Sequence, residues 1–419
     1  MFSRVTGRLL AVTVLAVAVL TGAALAAAAA SGTEAGAGTS QVASGQTLQQ
    51  AWTIGASVAW AWTVSANTGS SQGIELTVNG GKTWADVTPP GLSVQAGNHF
   101  ISGFYALNGT HAWVTYGGSA ETDRQTIVAT SDGGRRWTAV GHEPPSPLTE
   151  AISPCSLDFV TPADGWCEAT PVVIYSYEAV YLYRTTDGGR RWKLIFDTPV
   201  PGATVSGATR AGSLPLAGDK NIKFASPRVG WAVMDSYGQP TAPLYETLNS
   251  GKTWIKRAVA KAPGQTASGA AFTGQPLLAG RKGAVGYTMT GLKPSGAGSR
   301  PADGGSGLKT VVYVTTDNGK AWHPVTPPGK REGWVVDAIT PASWRLVQGD
   351  HILATDNAGR TWRTITSNIS FEIYYAYDDP TPPVVNFATR RVGWIVTSTS
   401  LWRTLNGGST WRKVRVPGT

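Results

Sequence analysis

An eight-residue pattern, Thr-x-[Asp/Asn]-x-Gly-x-x-Trp, occurs seven times along this chain of 419 residues and constrains its fold more than any other feature. We call each copy an octet. The octets occupy residues 77–84, 130–137, 185–192, 247–254, 315–322, 355–362 and 404–411. Seven ordered copies of one pattern indicate a repeat architecture, in which each copy belongs to one structural unit.

The chemistry of the octet is that of a β-turn. An Asp or Asn side chain accepts backbone N–H groups, glycine tolerates a positive φ angle, and the Thr hydroxyl can close the loop from the other side. The Trp then begins a strand and buries a large ring. We therefore predict a structural role for the third and eighth residues of every octet: Asn79, Asp132, Asp187, Asn249, Asp317, Asn357, Asn406, Trp84, Trp137, Trp192, Trp254, Trp322, Trp362 and Trp411.

A looser signature precedes the octets: an aromatic or aliphatic residue, a turn, and then Gly-Trp or Ala-Trp at the start of a strand. Its clearest copies are residues 159–166, 224–231 and 387–394. With the octet, it predicts four strands, A to D, in each unit. Seven units over residues 48–419 average about 53 residues, which is the size of a propeller blade. The sequence thus predicts an all-β fold, a single seven-bladed β-propeller of four-stranded antiparallel blades.

Composition agrees with strands rather than helices. The chain has 17 Trp, 51 Gly and 26 Pro, and only 15% of its residues are charged. Bulky aromatic residues favour a pleated surface, and turn residues favour short strands. The net charge of +9 comes without a run of five basic residues, so nucleic-acid binding is not predicted. Arginine pairs at 135/136, 190/191 and 390/391 form either a solvated rim or a basic face for an anionic membrane or wall polymer.

The N-terminal region predicts export. Arg4 and Arg8 precede an apolar run over residues 9–30, which is typical of a signal peptide; an uncleaved anchor is the alternative. Residues 31–47 are rich in Gly, Ser, Thr and Ala, as a flexible linker is. We expect the protein at the cell surface, outside the cell, or in a periplasmic or lumen-like space, where Cys155 and Cys167 would form a disulfide. No metal or cofactor is predicted, because the histidines share no ligand spacing with the cysteines.

The octets resemble the Asp-box, or BNR, repeats of sialidases and their relatives. The combined signature is most similar to the photosystem II stability and assembly factor family. This resemblance implies a seven-bladed propeller that binds a protein partner without catalysis, with boxes at the C to D turns, away from the ligand face. No box residue would be catalytic, and no photosynthetic role is implied, since many exported proteins share the repeats.

Two kinds of glycoside hydrolase remain as alternatives. A sialidase holds its substrate carboxylate with three arginines, one from the first blade, but this chain has no arginine between Arg8 and Arg124. A xyloglucanase-like enzyme needs paired carboxylates, for which Glu178, Glu372, Asp378 and Asp379 are candidates. If the protein only binds a partner, we predict that none of its residues is catalytic.

The B to C and D to A connections should lie on the face opposite the octets, where loops carry function. There, clustered tyrosines and carboxylates suit sugar stacking or a basic peptide segment. The binding candidates are Tyr374, Tyr375, Tyr377, Asp378, Asp379 and Glu178. For Tyr175, Tyr177, Tyr181 and Tyr183 we favour packing between strands. The expected partner is a protein or polysaccharide outside the cell, and no nucleic-acid partner is expected. A peripheral contact with a membrane is a further option. We expect the chain itself to be a monomer.

Overall fold

The computed structural model describes residues 46–65, 71–90, 92, 100–117, 125–145, 153–170, 180–197, 214, 220–234, 243–260, 270–272, 277–278, 285–286, 288–291, 309–315, 317, 319–329, 335–371, 383–397 and 400–418. All regular elements in these ranges are β-strands. The described ranges contain no helix that is long and apolar enough to cross a membrane. The signal prediction for residues 1–30 and residues 31–45 of the predicted linker (31–47) lie outside them, while residues 46 and 47 belong to the first strand.

The strands follow one another through successive sheets. The first sheet contains β1 (Gln46–Ile54), β2 (Val58–Ser65), β3 (Ser71–Thr77) and β4 (Ala85–Asp86). The second contains β5 (Phe100–Ala106), β6 (Ala112–Gly117), β7 (Thr126–Thr130) and β8 (Thr138–His142). The third contains β9 (Ser156–Phe159), β10 (Gly165–Ala169), β11 (Tyr181–Thr185) and β12 (Lys193–Asp197).

The fourth sheet has eight strands: β13 (Lys220–Phe224), β14 (Gly230–Met234), β15 (Leu244–Thr247), β16 (Ile255–Val259), β17 (Ala270–Phe272), β20 (Thr288–Gly291), β21 (Lys309–Val314) and β22 (Ala321–Val325). A two-stranded ladder contains β18 (Leu277–Leu278) and β19 (Val285–Gly286). The fifth sheet contains β23 (Val335–Thr340), β24 (Ser343–Thr355) and β25 (Arg363–Phe371). The sixth contains β26 (Val384–Phe387), β27 (Gly393–Val396), β28 (Leu401–Thr404) and β29 (Trp411–Val414).

The architecture is an all-β propeller with four-stranded antiparallel blades, but it has six sheets of three or more strands in the described ranges, and the predicted seven separate blades are not confirmed. Two local features account for the difference. Strands β16 and β22 pair in parallel, which joins the strands beside the fourth and fifth octets into one sheet. In the fifth sheet, β24 runs unbroken through the positions expected for strands B and C, so three strands stand where four were predicted.

The ring closes between the last sheet and the first. First strands of successive sheets lie against each other, as β5 does with β9, β9 with β13, and β23 with β26. In the last sheet, Asn386 donates its side-chain amide to the Thr53 carbonyl of β1, 2.5 Å away. The Trp394 indole N–H donates to Gly55 O at 3.1 Å, and Arg403 Nη2 donates to Ala56 O at 2.7 Å. Three side chains therefore tie the two ends of the chain together.

The fifth residue of each octet, always glycine, is where one unit packs on the preceding unit. A Cβ at Gly134 would lie 2.5 Å from Val87 Cβ, and a Cβ at Gly81 would overlap the Val414 side chain of the last sheet. These glycines also have φ angles of +79° to +102°, which other residues rarely adopt. The glycines and the side chains they face are Gly81 with Val414, Gly134 with Val87, Gly189 with Val140, Gly251 with Leu182, Gly319 with Trp231, Gly359 with Val325 and Gly408 with Ile352.

The Phe and Gly-Trp signature also has a packing cause. A Cβ at Gly165 would overlap the ring of Phe159, its partner on the neighbouring strand. The same ring stacks on Trp113 of the preceding sheet, with centroids 3.7 Å apart and planes at 4°. Phe224 and Trp166 repeat this stack at 3.6 Å. The glycine leaves room for a phenylalanine that joins two sheets.

The predicted disulfide between Cys155 and Cys167 is present, with a Cα–Cα distance of 5.1 Å. The two residues are not directly opposite each other, because Cys167 pairs with Leu157 and Cys155 lies two residues before that position. Both cysteines are buried. The bond fixes the start of β9 to the neighbouring strand β10.

The packing of Phe159 predicts an unequal response to two glycine substitutions. Gly165→Ala should lower the melting temperature by about 1–4 °C, since overpacking a core costs about 1–3 kcal/mol. Gly109→Ala is the matched control, because a Cβ there meets only Val58 at an ordinary 3.4 Å. Circular dichroism melting of both variants checks the expectation. Equal losses at the two sites would contradict it.

Candidate functional site

The binding residues predicted from sequence lie in two connections that the described ranges do not include. Glu178 belongs to the connection between β10 and β11. The connection from β25 to β26 contains Tyr374, Tyr375, Tyr377, Asp378 and Asp379, together with Glu372. Tyr175 and Tyr177 are also outside the described ranges. Tyr181 and Tyr183 are described and buried in β11, as the packing interpretation expects.

Each octet forms the same hydrogen-bonded turn. In the first, the Thr77 hydroxyl donates to Asn79 Oδ1 at 3.0 Å and accepts the Gly81 N–H at 2.9 Å. Asn79 Oδ1 also accepts the Thr83 N–H at 3.0 Å. Equivalent bonds to the third-position side chain occur in the other six turns, at Asp132, Asp187, Asn249, Asp317, Asn357 and Asn406. The Oδ1 atom of each third-position side chain is therefore engaged in closing the turn.

The three octet aspartates are held in their charged form by these bonds. The backbone N–H of Arg136 lowers the pKa of Asp132, and that of Ala321 lowers the pKa of Asp317. At Asp187, partial burial opposes the shift, but the N–H of Arg191 and the Thr185 hydroxyl still leave the pKa lowered. At neutral pH these carboxylates thus act as acceptors, as the amide oxygen of Asn does in the other four octets.

The octet tryptophans are buried to different degrees. Trp254, Trp322 and Trp411 are at most 4% exposed, and the other four are half-buried. Trp137 donates its indole N–H to Val87 O of the preceding sheet at 2.7 Å. The octets therefore contact neighbouring units through a ring as well as through a glycine.

Polar residues just before the strand A phenylalanine tie the inner strands together. Asp158 precedes Phe159; its Oδ2 accepts the Phe224 N–H at 3.0 Å and its Oδ1 accepts the Tyr105 hydroxyl at 3.3 Å. Lys223 Nζ lies 3.9 Å from the same carboxylate. Asp158 thus joins three successive sheets. A polar residue directly before the phenylalanine, as in Asp-Phe, Lys-Phe and Asn-Phe, was the sequence signal for these ties.

A shallow cleft lies beside Asp158, between the third and fourth sheets. Its lining residues are Ser156, Asp158, Trp166, Glu168, Leu182, Ile222, Lys223 and Phe224. Ligand sites usually enclose about 300–1,000 Å³, whereas the enclosed part of this cleft is about the size of one water molecule. The cleft is therefore too small to be a ligand site. Among the described residues, no three His, Cys, Asp or Glu side chains are placed to hold a metal ion.

A buried charged cluster joins the fifth and sixth sheets, and sequence analysis did not identify it. Arg345 is fully buried, donates to Trp344 O at 2.8 Å, and places its guanidinium over the Phe387 ring at 5.9 Å. Asp337 pairs across the strands with Arg345 and accepts the Phe387 N–H at 2.6 Å. Burial raises the pKa of Asp337 to about 7, although that N–H and the arginine charge favour ionisation.

A second buried carboxylate, Glu143, lies at the end of the second sheet opposite its octet. Its Oε1 accepts the Cys155 N–H at 3.1 Å, which joins the second sheet to the disulfide of the third. The Ser102 and Thr115 hydroxyls bond to each other at 3.0 Å beside it, and Ser102 donates to Gln125 Oε1 at 3.2 Å. Burial raises the pKa of Glu143 to about 7. The cluster is thus a contact between two sheets, and its strength depends on the protonation of Glu143.

No protein-family model matches this chain, and no curated protein matches it. It is similar to the solved structure of YCF48 from Cyanidioschyzon merolae at 16% identity, over 86% of this chain and 98% of that one, with a TM-score of 0.46. YCF48 bound to a D1 peptide matches at 17% identity, over 75% and 80% of the two chains, with a TM-score of 0.40. An ancestral GH74 enzyme matches at 13% identity, over 90% of this chain and 48% of the enzyme, with a TM-score of 0.49. Likenesses this distant carry no argument about function.

Substitutions of Asp187 can distinguish the hydrogen-bond acceptor role of an octet side chain from the role of its charge. Asp187→Ala removes the acceptor for the Arg191 N–H and should cost about 1 kcal/mol, or about 1–3 °C in melting temperature. Asp187→Asn is the matched control, since four octets carry Asn at this position. It keeps the acceptor and should melt near the parent at pH 7. A loss as large as that of the Ala variant would mean that the charge, rather than the acceptor, matters.

Glu143 should make stability fall as pH rises. Its pKa is about 7 in the folded chain and 4.5 in the unfolded one, so the stability it contributes is complete below about pH 4.5 and lost by about pH 7. Glu143→Gln removes this loss. We therefore expect the difference between the melting temperature of the variant and that of the parent to increase by about 2–4 °C from pH 4.5 to pH 8. Parallel curves over this range would contradict the burial of an ionisable carboxyl at this site.

Proposed function

We propose that this chain is an exported β-propeller scaffold that binds a protein or glycan partner, without catalysis, through the face opposite the octets. The observation that carries the proposal is an asymmetry between the two ends of the strands. At the octet end, outside the stretch between β17 and β20, connections contain two to seven residues. At the other end, apart from the unbroken β24, they contain from four to 22 residues.

Turns of uniform length and loops of unequal length have different roles. A turn that repeats with one length and one hydrogen-bond pattern keeps units in register. Loops of unequal length and composition can present a surface specific to one partner, because a rigid scaffold positions them. The longest connections at that end include residues 198–219 and 292–308, and the connection after β25 carries Tyr374, Tyr375 and Asp378.

The chemistry of the described residues also favours a scaffold. The octet carboxylates close turns, and Asp158, Asp337 and Glu143 accept backbone N–H groups from a neighbouring sheet. The octet carboxylates are thus occupied within their own turns, and the other three carboxylates are occupied by contacts that join sheets. A carboxylate that acts as a general acid or nucleophile must instead reach a substrate.

We further propose that the propeller consists of seven units over residues 48–419. In support, all seven octet glycines pack on the preceding unit, and the first packs on the last. The eight-stranded sheet would then be two units that share an edge through β16 and β22. The disulfide supports an oxidising compartment, and hence export directed by residues 1–30 with a linker over 31–47.

If the partner binds at the face opposite the octets, substitutions in the connection after β25 should reduce capture of the partner. The full chain is immobilised and exposed to a membrane fraction, and captured proteins and glycans are identified by mass spectrometry. Tyr374→Ala with Tyr375→Ala, and Asp378→Asn with Asp379→Asn, should each lower capture of the identified partner by about tenfold. Asp187→Asn is the matched control at the octet end and should leave capture unchanged.

The same preparations test the enzymatic alternative. The chain is assayed on fluorogenic glycosides, including sialosides, and we expect no turnover above background. Turnover that Asp378→Asn or Glu178→Gln abolishes would replace the scaffold by a glycoside hydrolase. Capture that survives both connection variants but fails when the octet end is altered would place the partner on the other face.

A further inference from the structure

The octet turns and the A to B turns lie together at one end of the strands. In the first unit the Gly80 N–H donates to Ser57 O at 2.7 Å, and in the third the Gly188 N–H donates to Ala163 O at 2.9 Å. The same bond from octet to A to B turn occurs in the second, fourth, sixth and seventh units. Because each octet also packs on the preceding unit, these turns form a continuous ring. We call it the octet face.

The octet face carries a regular set of cations. The sixth residue is Lys or Arg in six of the seven octets, and each of these side chains is exposed. Five more exposed arginines occupy the seventh octet position or the A to B turns. The full set is Lys82, Arg135, Arg136, Arg190, Arg191, Arg228, Lys252, Lys320, Arg360, Arg390 and Arg391.

The carboxylates of the same turns are fewer and already engaged. Asp132, Asp187 and Asp317 close octets, as described above. Asp164 accepts Arg184 at 2.8 Å, and Asp356 accepts the Ser343 hydroxyl at 2.6 Å. The described turns of this face thus present eleven exposed cations, of which Arg390 lies 3.1 Å from Asp356, against five occupied carboxylates. A positive surface of this kind attracts a polyanion or an anionic membrane.

Exposed aliphatic side chains distinguish between these two partners. Val78 is 60% exposed, Leu248 45% and Leu405 58%. All three are second residues of octets, in the first, fourth and seventh units, and they account for three of the five large exposed hydrophobic residues in the described ranges. We call these three side chains the aliphatic tips. They would not strengthen binding to a soluble polyanion, whereas a bilayer interface can bury them.

The arrangement of these tips also favours a surface over a strand. Leu405 and Val78 belong to the last and first units, which are neighbours in the ring, while Leu248 belongs to the fourth unit. Contacts distributed around a ring define a plane, whereas a linear polymer would follow one contiguous track. We propose that the octet face docks on an anionic lipid bilayer, with the cations at the headgroups and the three aliphatic tips at the interface.

The cations are tested by vesicle co-sedimentation of the full chain. Vesicles contain phosphatidylcholine with about 30 mol% phosphatidylglycerol, or phosphatidylcholine alone. Lys82→Gln, Lys252→Gln and Lys320→Gln together should weaken binding to the anionic vesicles by about a hundredfold, since each basic residue near such a surface contributes about fivefold. The matched control, Lys→Arg at the same three positions, should retain binding. Equal binding by the Gln and Arg variants would overturn the proposal.

The aliphatic tips separate a bilayer from a polymer. Val78→Ser, Leu248→Ser and Leu405→Ser leave the charge unchanged and should weaken vesicle binding by about tenfold, while binding to a soluble polyphosphate chain stays the same. If the Ser variant binds vesicles as the parent does, the tips do not enter the interface and the proposal fails. Stronger binding to polyphosphate than to vesicles would assign the face to an anionic polymer.

Residues 9–30 are apolar and could bind vesicles by themselves, so the contacting face is read directly. A polarity-sensitive dye is attached to Ser131→Cys, an exposed second octet position, or to His142→Cys, at the opposite end of its sheet. Anionic vesicles should shift the emission at residue 131 and leave that at 142 unchanged. A shift at 142 alone would overturn the proposal. Either result leaves partner capture at the other face to its own test.

Discussion

Close packing at the octet glycine is the contact on which the rest of this propeller depends. A side chain at Gly81 or Gly134 would collide with the preceding unit, and the positive φ at both positions turns the chain toward the next strand. The hydrogen bonds of the third-position Asp or Asn hold that backbone shape without help from other units. Local turn chemistry and packing between units therefore meet in one residue. A repeat protein needs this coincidence, since each unit alone buries too little to be stable.

Polar side chains of the first strands of the sheets supply a second set of contacts. Asp158 and Asn386 directly precede a strand A phenylalanine, and Asp337 precedes Ala338. All three bond to backbone groups of the next sheet. A buried backbone N–H needs an acceptor, so a carboxylate at this position fixes the register of neighbouring sheets as well as their distance. Where the carboxylate is most buried, as at Asp337, its pKa rises to about 7 and part of that contact depends on pH.

The repeated elements of the fold could be predicted from sequence, because a β-turn and a disulfide depend on local residue types. The octet turns and the Cys155–Cys167 bond are examples. The joining of β16 to β22 could not, since parallel pairing of two strand edges depends on how whole units tilt. The continuous strand β24 was missed because Gly349 and Asp350 in its middle are residue types of a turn, whereas the chain continues as a strand through Gly349 with a φ of +58° and a shift of register. The predicted binding residues, Glu178 and those of the connection after β25, remain predictions.

Octet composition suggests how one turn can serve both packing and surface chemistry. The aliphatic tips Val78, Leu248 and Leu405 are each followed by Asn, whereas the octets with Asp carry Ser131, Thr186 or Thr316 at the tip position. Both Asn and Asp supply the same acceptor oxygen, so the fold does not require this correlation. A carboxylate beside an anionic headgroup would be repelled, and an uncharged amide would not. The sixth octet departs from this correlation, because Asp356 precedes its Asn357. Each of the three units that expose an apolar side chain nevertheless carries no negative charge at the third position, as a membrane-facing surface requires.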